Sequence, residues 1–276
     1  MIKILVDSAS DYPFDSKKAD YFLPISVNID GKEYKTGVEL SSDMFYELQA
    51  NAKEFPKTSQ PSPQVFEEIF EEVKASGDEL ICLVLSSALS GTYQGAMLAK
   101  ATVDYDGIYV IDTLTATHMI GVLADYAYEL RKNGASAKEI VEKCEALKSK
   151  IKVLAGVDTL EYLYKGGRLS RTTAAVGSLA NIKPIITVTK DGKVETAGKA
   201  IGKSRAIQAI IDKLSVNDID TDFPIYSLYS SGSENCELLE QRLAASGYSV
   251  CERRQVGSAI GAHTGPGVFG VMFVIR

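Results

Sequence analysis

The run Leu80-Ile81-Cys82-Leu83-Val84-Leu85-Ser86-Ser87-Ala88-Leu89-Ser90-Gly91-Thr92-Tyr93 decides the fold class. Its first six residues are apolar without interruption, as in a strand covered on both faces within a parallel sheet. Serines stop the strand, and a helix opens near Gly91. The same grammar recurs twice: Ile2 to Val6 ends at Asp7-Ser8, and Ile108 to Ile111 ends at Asp112-Thr113. Open parallel sheets bind ligands at such carboxyl ends. For one serine, a helix cap is the ordinary reading. Several hydroxyls around Gly91, with free N–H groups where a helix begins, favour an anion site.

Helices separate these strands. Ser62-Pro63 supplies a cap and a first-turn proline ahead of the amphipathic stretch Val65 to Lys74. Ser136 and Glu139 form a capping box for a helix running to about Lys150. From residue 153 the pattern changes. Val153 to Val157 leads to the helical LEYLYKG, then to residues 171–180, and then to a strand, Ile182 to Val188, with a hairpin turn at Asp191-Gly192. Helices near Ser204–Leu214 and Glu234–Ala245 alternate with strands at Ile225–Tyr229, Tyr248–Glu252 and Val268–Ile275. Hairpins mixed with crossovers predict a mixed sheet. The chain reads as α/β in two domains, residues 1–152 and 153–276.

Composition narrows the function. Among 276 residues, 45% are apolar and 24% charged, which suits a globular protein with a proper core. A net charge of −6 and the lack of basic runs argue against a nucleic-acid surface. No apolar stretch is long enough to span a bilayer, and Met1 to Val6 is too short for a signal peptide. Cys82, Cys144, Cys236 and Cys251 are scattered without a CxxC pair, so a reduced cytoplasmic protein without a metal site is expected.

Three more segments carry chemistry-bearing residues. In Lys57-Thr58-Ser59-Gln60-Pro61-Ser62-Pro63 two prolines stiffen a loop, and Thr58 and Ser59 offer hydroxyls; read alone, it is a surface connector. In residues 257–267 (GSAIGAHTGPG) His263 sits among four glycines, which let backbone approach a ligand closely. The other histidine, His118, lies in the helical stretch Thr115 to Tyr128, where a packing role is favoured. Tyr164-Lys165-Gly166-Gly167-Arg168-Leu169-Ser170-Arg171 lacks the Walker spacing, and phosphate binding and a solvated helix end remain equal readings.

Six stretches in order, DSASD near residue 7, TSQPSP from Thr58, SSALSGTYQ from Ser86, VIDT at Val110, LEYLYKGGRLS from Leu160 and GAHTGPGVFG from Gly261, resemble the DegV family. The resemblance spans nearly the whole chain. It implies a fold shared distantly with dihydroxyacetone kinases: an N-terminal three-layer α/β/α domain with a parallel sheet, then a domain with a mixed sheet. It further implies one long-chain fatty acid in a tunnel between the domains. Its carboxylate would be held by Thr58, Ser90 and His263, supported by Ser59, Ser87, Gly91, Thr92 and Gly261. The family presents this carboxylate to a separate ATP-dependent, dihydroxyacetone-kinase-like fatty acid kinase, which makes an acyl phosphate. No cofactor is implied. Arg168, Lys199 and Lys203 are the candidate partner contacts, because Ile201 falls where many relatives carry an arginine associated with transfer to the kinase.

The chemistry agrees with that expectation. Two hydroxyls and an imidazole supply three donors to a carboxylate taken out of water. Each buried methylene is worth about 0.8 kcal/mol, so a sixteen-carbon chain gains roughly 10 kcal/mol gross. Two alternatives compete. Ser90 and His263 would serve an acyl ester hydrolase, although no acidic partner or GxSxG elbow stands out. A small ketose at His263 would fit poorly beside the apolar Val268 to Val274.

Overall fold

The computed structural model describes residues 1–169 and 181–276, so the stretch at 171–180, Arg171 included, lies outside the described residues. The first sheet is four-stranded and parallel, in the order β2 (Tyr21–Leu23), β1 (Ile2–Asp7), β6 (Glu79–Val84), β7 (Ile108–Asp112). Its unbroken apolar runs are explained by cover on both faces. Leu5, Leu80, Cys82 and Val84 pack with Phe66 and Phe70 of α2 (Pro63–Ser76) and Ala96 and Ala99 of α3 (Thr92–Val103). Ile4, Val6, Ile81 and Leu83 join Ile120 and Leu123 of α4 (His118–Lys132) and Ile140 and Cys144 of α5 (Ala137–Lys148).

The same α4–α5 layer is shared with a second sheet. That sheet is mixed, in the order β10 (Val194–Ile201), β9 (Ile182–Val188), β8 (Ile151–Gly156), β13 (Phe269–Val274), β11 (Ile225–Tyr229), β12 (Val250–Gln255). Only β11 and β12 run parallel; the other neighbours are antiparallel. Val153, Ala155, Met272 and Val274 belong to the α4–α5 core, whereas Leu154, Phe269, Val271 and Phe273 pack on α7 (Lys203–Ser215) and α8 (Glu234–Ala245). One apolar core therefore runs from the first sheet to the second. Ile151 and Lys152 already belong to β8.

Several local expectations are met in the structure. The capping box joins Ser136 and Glu139, and Asp191-Gly192 turns the β9–β10 hairpin. Gly192 is required there twice. Its φ is +75°, and a Cβ would lie 2.1 Å from Ser86 Oγ, where the hairpin tip docks on the loop after β6. Other expectations need correction. Ser62 precedes α2 in extended conformation, but its hydroxyl makes no capping bond. The α4 helix starts at His118 rather than Thr115, because Thr117 adopts φ 56° and ψ −153°, outside any helix. Lys57 to Ser59 is not a loop but β5 (Lys57–Ser59), an edge of a small sheet with β3 (Ser26–Ile29) and β4 (Lys32–Lys35). Residues 257–267 are not all loop either: α9 (Ser258–Thr264) carries His263. Between those segments, α1 (Ser42–Asn51) buries Phe45 and Tyr46 against Val27, Ile29 and Ala262. The remaining described helix, α6 (Glu161–Lys165), leads into Gly166-Gly167-Arg168.

Candidate functional site: a cavity shared by Thr58, Ser90, Arg168 and His263

The small sheet sets the first donor. Thr58 pairs with Val27 across the β3–β5 ladder, so its backbone is fixed by sheet hydrogen bonds. His263 arrives on α9 from the far end of the chain, and its Nε2 lies 2.8 Å from Thr58 Oγ1. Ser90 comes from the loop between β6 and α3, where its Oγ accepts from Thr92 N–H at 3.3 Å and meets Thr92 Oγ1 at 2.9 Å. Ser90 is thus both a cap of α3 and a wall of the site. Thr58, Ser90 and His263 line one cavity of about 140 Å³, together with Gln60, Arg168 and Thr264. Ile25, Leu85, Leu89, Ala116, Leu163, Val194, Ala259 and Ile260 supply its apolar walls. Its polar groups come from strand β5, the β6–α3 loop, the segment after α6 and helix α9, and several of its apolar groups belong to the main core.

Arg168 is the group whose place the sequence did not settle. Its Nε donates to Leu89 O at 2.8 Å and its Nη1 donates to Gly166 O. Among the described residues no carboxylate stands within ion-pair distance of it, and burial lowers its pKa. A half-buried cation whose partners among the described residues are two carbonyls is suited to an arriving anion. Thr58, Arg168 and His263 also line an open cleft outside, with Phe55, Lys57, Tyr162 and Lys165. These three side chains therefore border both the cavity and the surface cleft.

Hydrogen bonding fixes the His263 tautomer. Nδ1 is buried, has no hydrogen-bond partner among the described residues, and faces Gly166, where a Cβ would sit 2.2 Å away. An orphaned buried N–H is rarer than an under-used acceptor, so the proton belongs on Nε2, which donates to Thr58. The Thr58 hydroxyl proton is then free for a further acceptor. Burial, and secondarily the Arg168 charge, push the His263 pKa down to about 4, so the ring is neutral at pH 7. Because this folded value lies below that of an unfolded histidine, its contribution to stability is present above about 6.5 and is lost as pH falls through 4. Nitrogen NMR of labelled histidine is expected to show a neutral Nε2–H ring with a midpoint near 4. A bound anion should raise that midpoint; an Nδ1–H ring would contradict the assignment.

The other sequence candidates scatter around this centre. Gly91 precedes α3 and backs onto Gln60, and Gly261 packs beneath the Tyr46 hydroxyl. Ser87 N–H donates to Asp112 Oδ1, Thr92 is buried, and Ser59 is exposed on β5; none of the three lines the cavity. Lys199, on β10, and Lys203, opening α7, are away from it, and Ile201 is 59% exposed. His118 is a buried structural residue whose Nε2 donates to Gln255 O. Gln60 and Thr264 are the polar wall residues that sequence reading passed over, although they lie within the quoted TSQPSP and GAHTGPGVFG stretches.

A sequence model of the DegV family, described as uncharacterised, matches residues 1–276. The chain belongs to the DegV family. A DegV domain-containing protein of Caldanaerobacter subterraneus is 38% identical over 276 residues, covering 99% of this chain and 98% of the relative. Among solved structures, a DegV family protein from Thermus thermophilus, reported for its fatty acid binding, is 32% identical. It superposes with a TM-score of 0.88 over 100% of this chain and 99% of its own. A stearic acid-binding protein from Eubacterium ventriosum is 27% identical with a TM-score of 0.84, covering 100% of this chain and 98% of its own. The DegV fold therefore accounts for both sheets and their order in the chain. Among the described residues no helix is long and apolar enough to cross a membrane, and no group of histidines, cysteines and carboxylates is placed to hold a metal ion.

Proposed function

We propose that this DegV protein binds one long-chain fatty acid between its two α/β halves, divided near residue 152, and presents the carboxylate to a separate fatty acid kinase. The observation that carries the reading is the cavity's polarity. Thr58, Ser90, His263 and Arg168, which has no carboxylate partner among the described residues, share its wall with eight apolar side chains, and Thr58, His263 and Arg168 also border one surface cleft. The Thr58 hydroxyl, freed by the Nε2–H tautomer, donates to one carboxylate oxygen, and Ser90 and Arg168 serve the other. Similarity to fatty-acid-binding DegV structures supports the ligand class. Delivery to a dihydroxyacetone-kinase-like partner is supported by the open cleft sharing Thr58, Arg168 and His263, through which a phosphoryl donor reaches the head group. Chemistry by this chain alone is disfavoured. A serine hydrolase needs a carboxylate orienting the histidine, yet among the described residues His263 Nδ1 has no partner and Nε2 engages Thr58.

The test is extraction. Protein purified without added lipid, denatured and extracted into organic solvent, is expected to yield near-stoichiometric fatty acid by mass spectrometry. ATP should then give acyl phosphate only when a cognate kinase is added. An empty extract together with no uptake of palmitate would overturn the reading.

A further inference from the structure

The DSASD motif contributes no wall to the cavity, yet its last residue reaches the strap that carries His263. Residues 255–257 lead from β12 into α9, and three buried side chains from the other half of the chain grip them in succession. His118 Nε2 donates to Gln255 O at 2.7 Å. The Tyr46 hydroxyl donates to Val256 O at 2.8 Å. Asp11 lays Oδ1 against Gly257, where a Cβ would sit 2.3 Å away; Oδ1 has no hydrogen-bond partner among the described residues, and burial pushes the Asp11 pKa up to about 7. The other oxygen, Asp11 Oδ2, accepts from Thr117 Oγ1 at 2.5 Å, which ties Asp11 to the start of α4 beside His118. Both Asp11 and Thr117 hold positive φ, 52° and 56°, although neither is glycine. Strain of this kind persists only where the surroundings over-determine it.

We propose that Asp11 is a positioning residue for the fatty-acid head group: with Tyr46 and His118 it sets the strap, and so the start of α9, from which His263 reaches Thr58. This rests on the fatty-acid reading above. The α9 helix cannot place itself. It has seven residues, no side-chain cap at Gly257, and a glycine inside it at Gly261. A helix this short is held by tertiary contacts rather than by its own propensity. His263 stands five residues beyond Ser258, about 8 Å along the helix axis, so a tilt at the strap moves the ring directly. Its hydrogen bond to Thr58 tolerates only a few tenths of an ångström before weakening, by ordinary bond geometry. Burial also pushes the His118 pKa down to about 4, so at neutral pH its single ring proton is the one given to Gln255 O.

The experiment compares palmitic acid with methyl palmitate, which keeps the chain but lacks the charged head. Asp11→Ala should weaken binding of the acid by about fivefold, from loss of a roughly 1 kcal/mol hydrogen-bond contribution at the head, while leaving the ester unchanged. The His263 Nε2 resonance of the ligand-free variant should move as its bond to Thr58 lengthens. Asp11→Asn keeps the shape that packs on Gly257 and a partner for Thr117, and should restore both readouts. Equal weakening of acid and ester, or an unmoved His263 resonance, would overturn the proposal. Should Asp11→Ala fail to fold, Tyr46→Phe removes a single grip on the strap and is judged by the same ratio and resonance. Wild-type protein that does not distinguish acid from ester would instead sink the carboxylate reading, and the His263 resonance alone would then decide the positioning role.

Discussion

Arg168→Leu is expected to release the fatty acid that the wild-type protein retains, weakening palmitate by roughly 10- to 100-fold on the strength of charge-assisted hydrogen bonds. The guanidinium is held by backbone carbonyls, Leu89 O and Gly166 O, at the wall of a cavity where, among the described residues, it is the one charged lining residue beside neutral polar and apolar side chains. Its pKa is lowered by burial, which shows that the surroundings do not by themselves compensate the charge. An incoming carboxylate provides that compensation. Leucine removes the cation but not the cavity, so methyl palmitate should bind as before. Arg168→Lys should fall between the two, since an ammonium keeps the charge and loses the planar fork. Titration calorimetry with acid and ester reads the difference. An acid affinity unchanged in Arg168→Leu would remove Arg168 from the head group and return it to the surface role its neighbouring glycines first suggested.

How much of this was legible in sequence depends on how local the signal is. Strands β1, β6 and β7 are readable because burial on both faces leaves unbroken apolar runs. After residue 180, β9, β11 and β13 carry apolar runs and α7 and α8 were placed within a few residues, whereas β10 and β12 are not covered on both faces and β10 was inferred only from the turn before it. The segment from Tyr21 to Ser59 is different. Its strands have three or four residues, and β4 is largely exposed, so the apolar pattern is too short to show a period. Thr58 was found through the motif around it, while the sheet that fixes it was not. In α9 the glycines pointed away from helix, and tertiary grip on the strap overrides their propensity. Arg168 shows the limit most clearly. A basic residue after a glycine pair is compatible with solvent or with an anion, and only the fold shows that it faces the cavity.

Gly166→Ala should empty the same site without altering any group that touches the ligand. Gly166 has φ −72° and ψ −10°, so alanine meets no backbone penalty there. The added methyl would lie 2.2 Å from His263 Nδ1 and 3.0 Å from Tyr162 O. His263 cannot yield cheaply, because Thr58 holds the opposite edge of the ring at 2.8 Å. Either the imidazole swings away from Thr58 or the end of α6 lifts, and both open the head of the cavity. Palmitate affinity is expected to fall at least about tenfold, a loss of one well-placed polar contact, while the strain of a displaced rotamer costs only about 1 kcal/mol of stability. A double-mutant cycle separates this from general damage. In His263→Ala the ring is gone, so adding Gly166→Ala should cost almost nothing further, and the two stability effects should be clearly non-additive. Additive losses, or wild-type affinity in Gly166→Ala, would mean that the ring has room to move and that the close packing of Gly166 on His263 is incidental to binding.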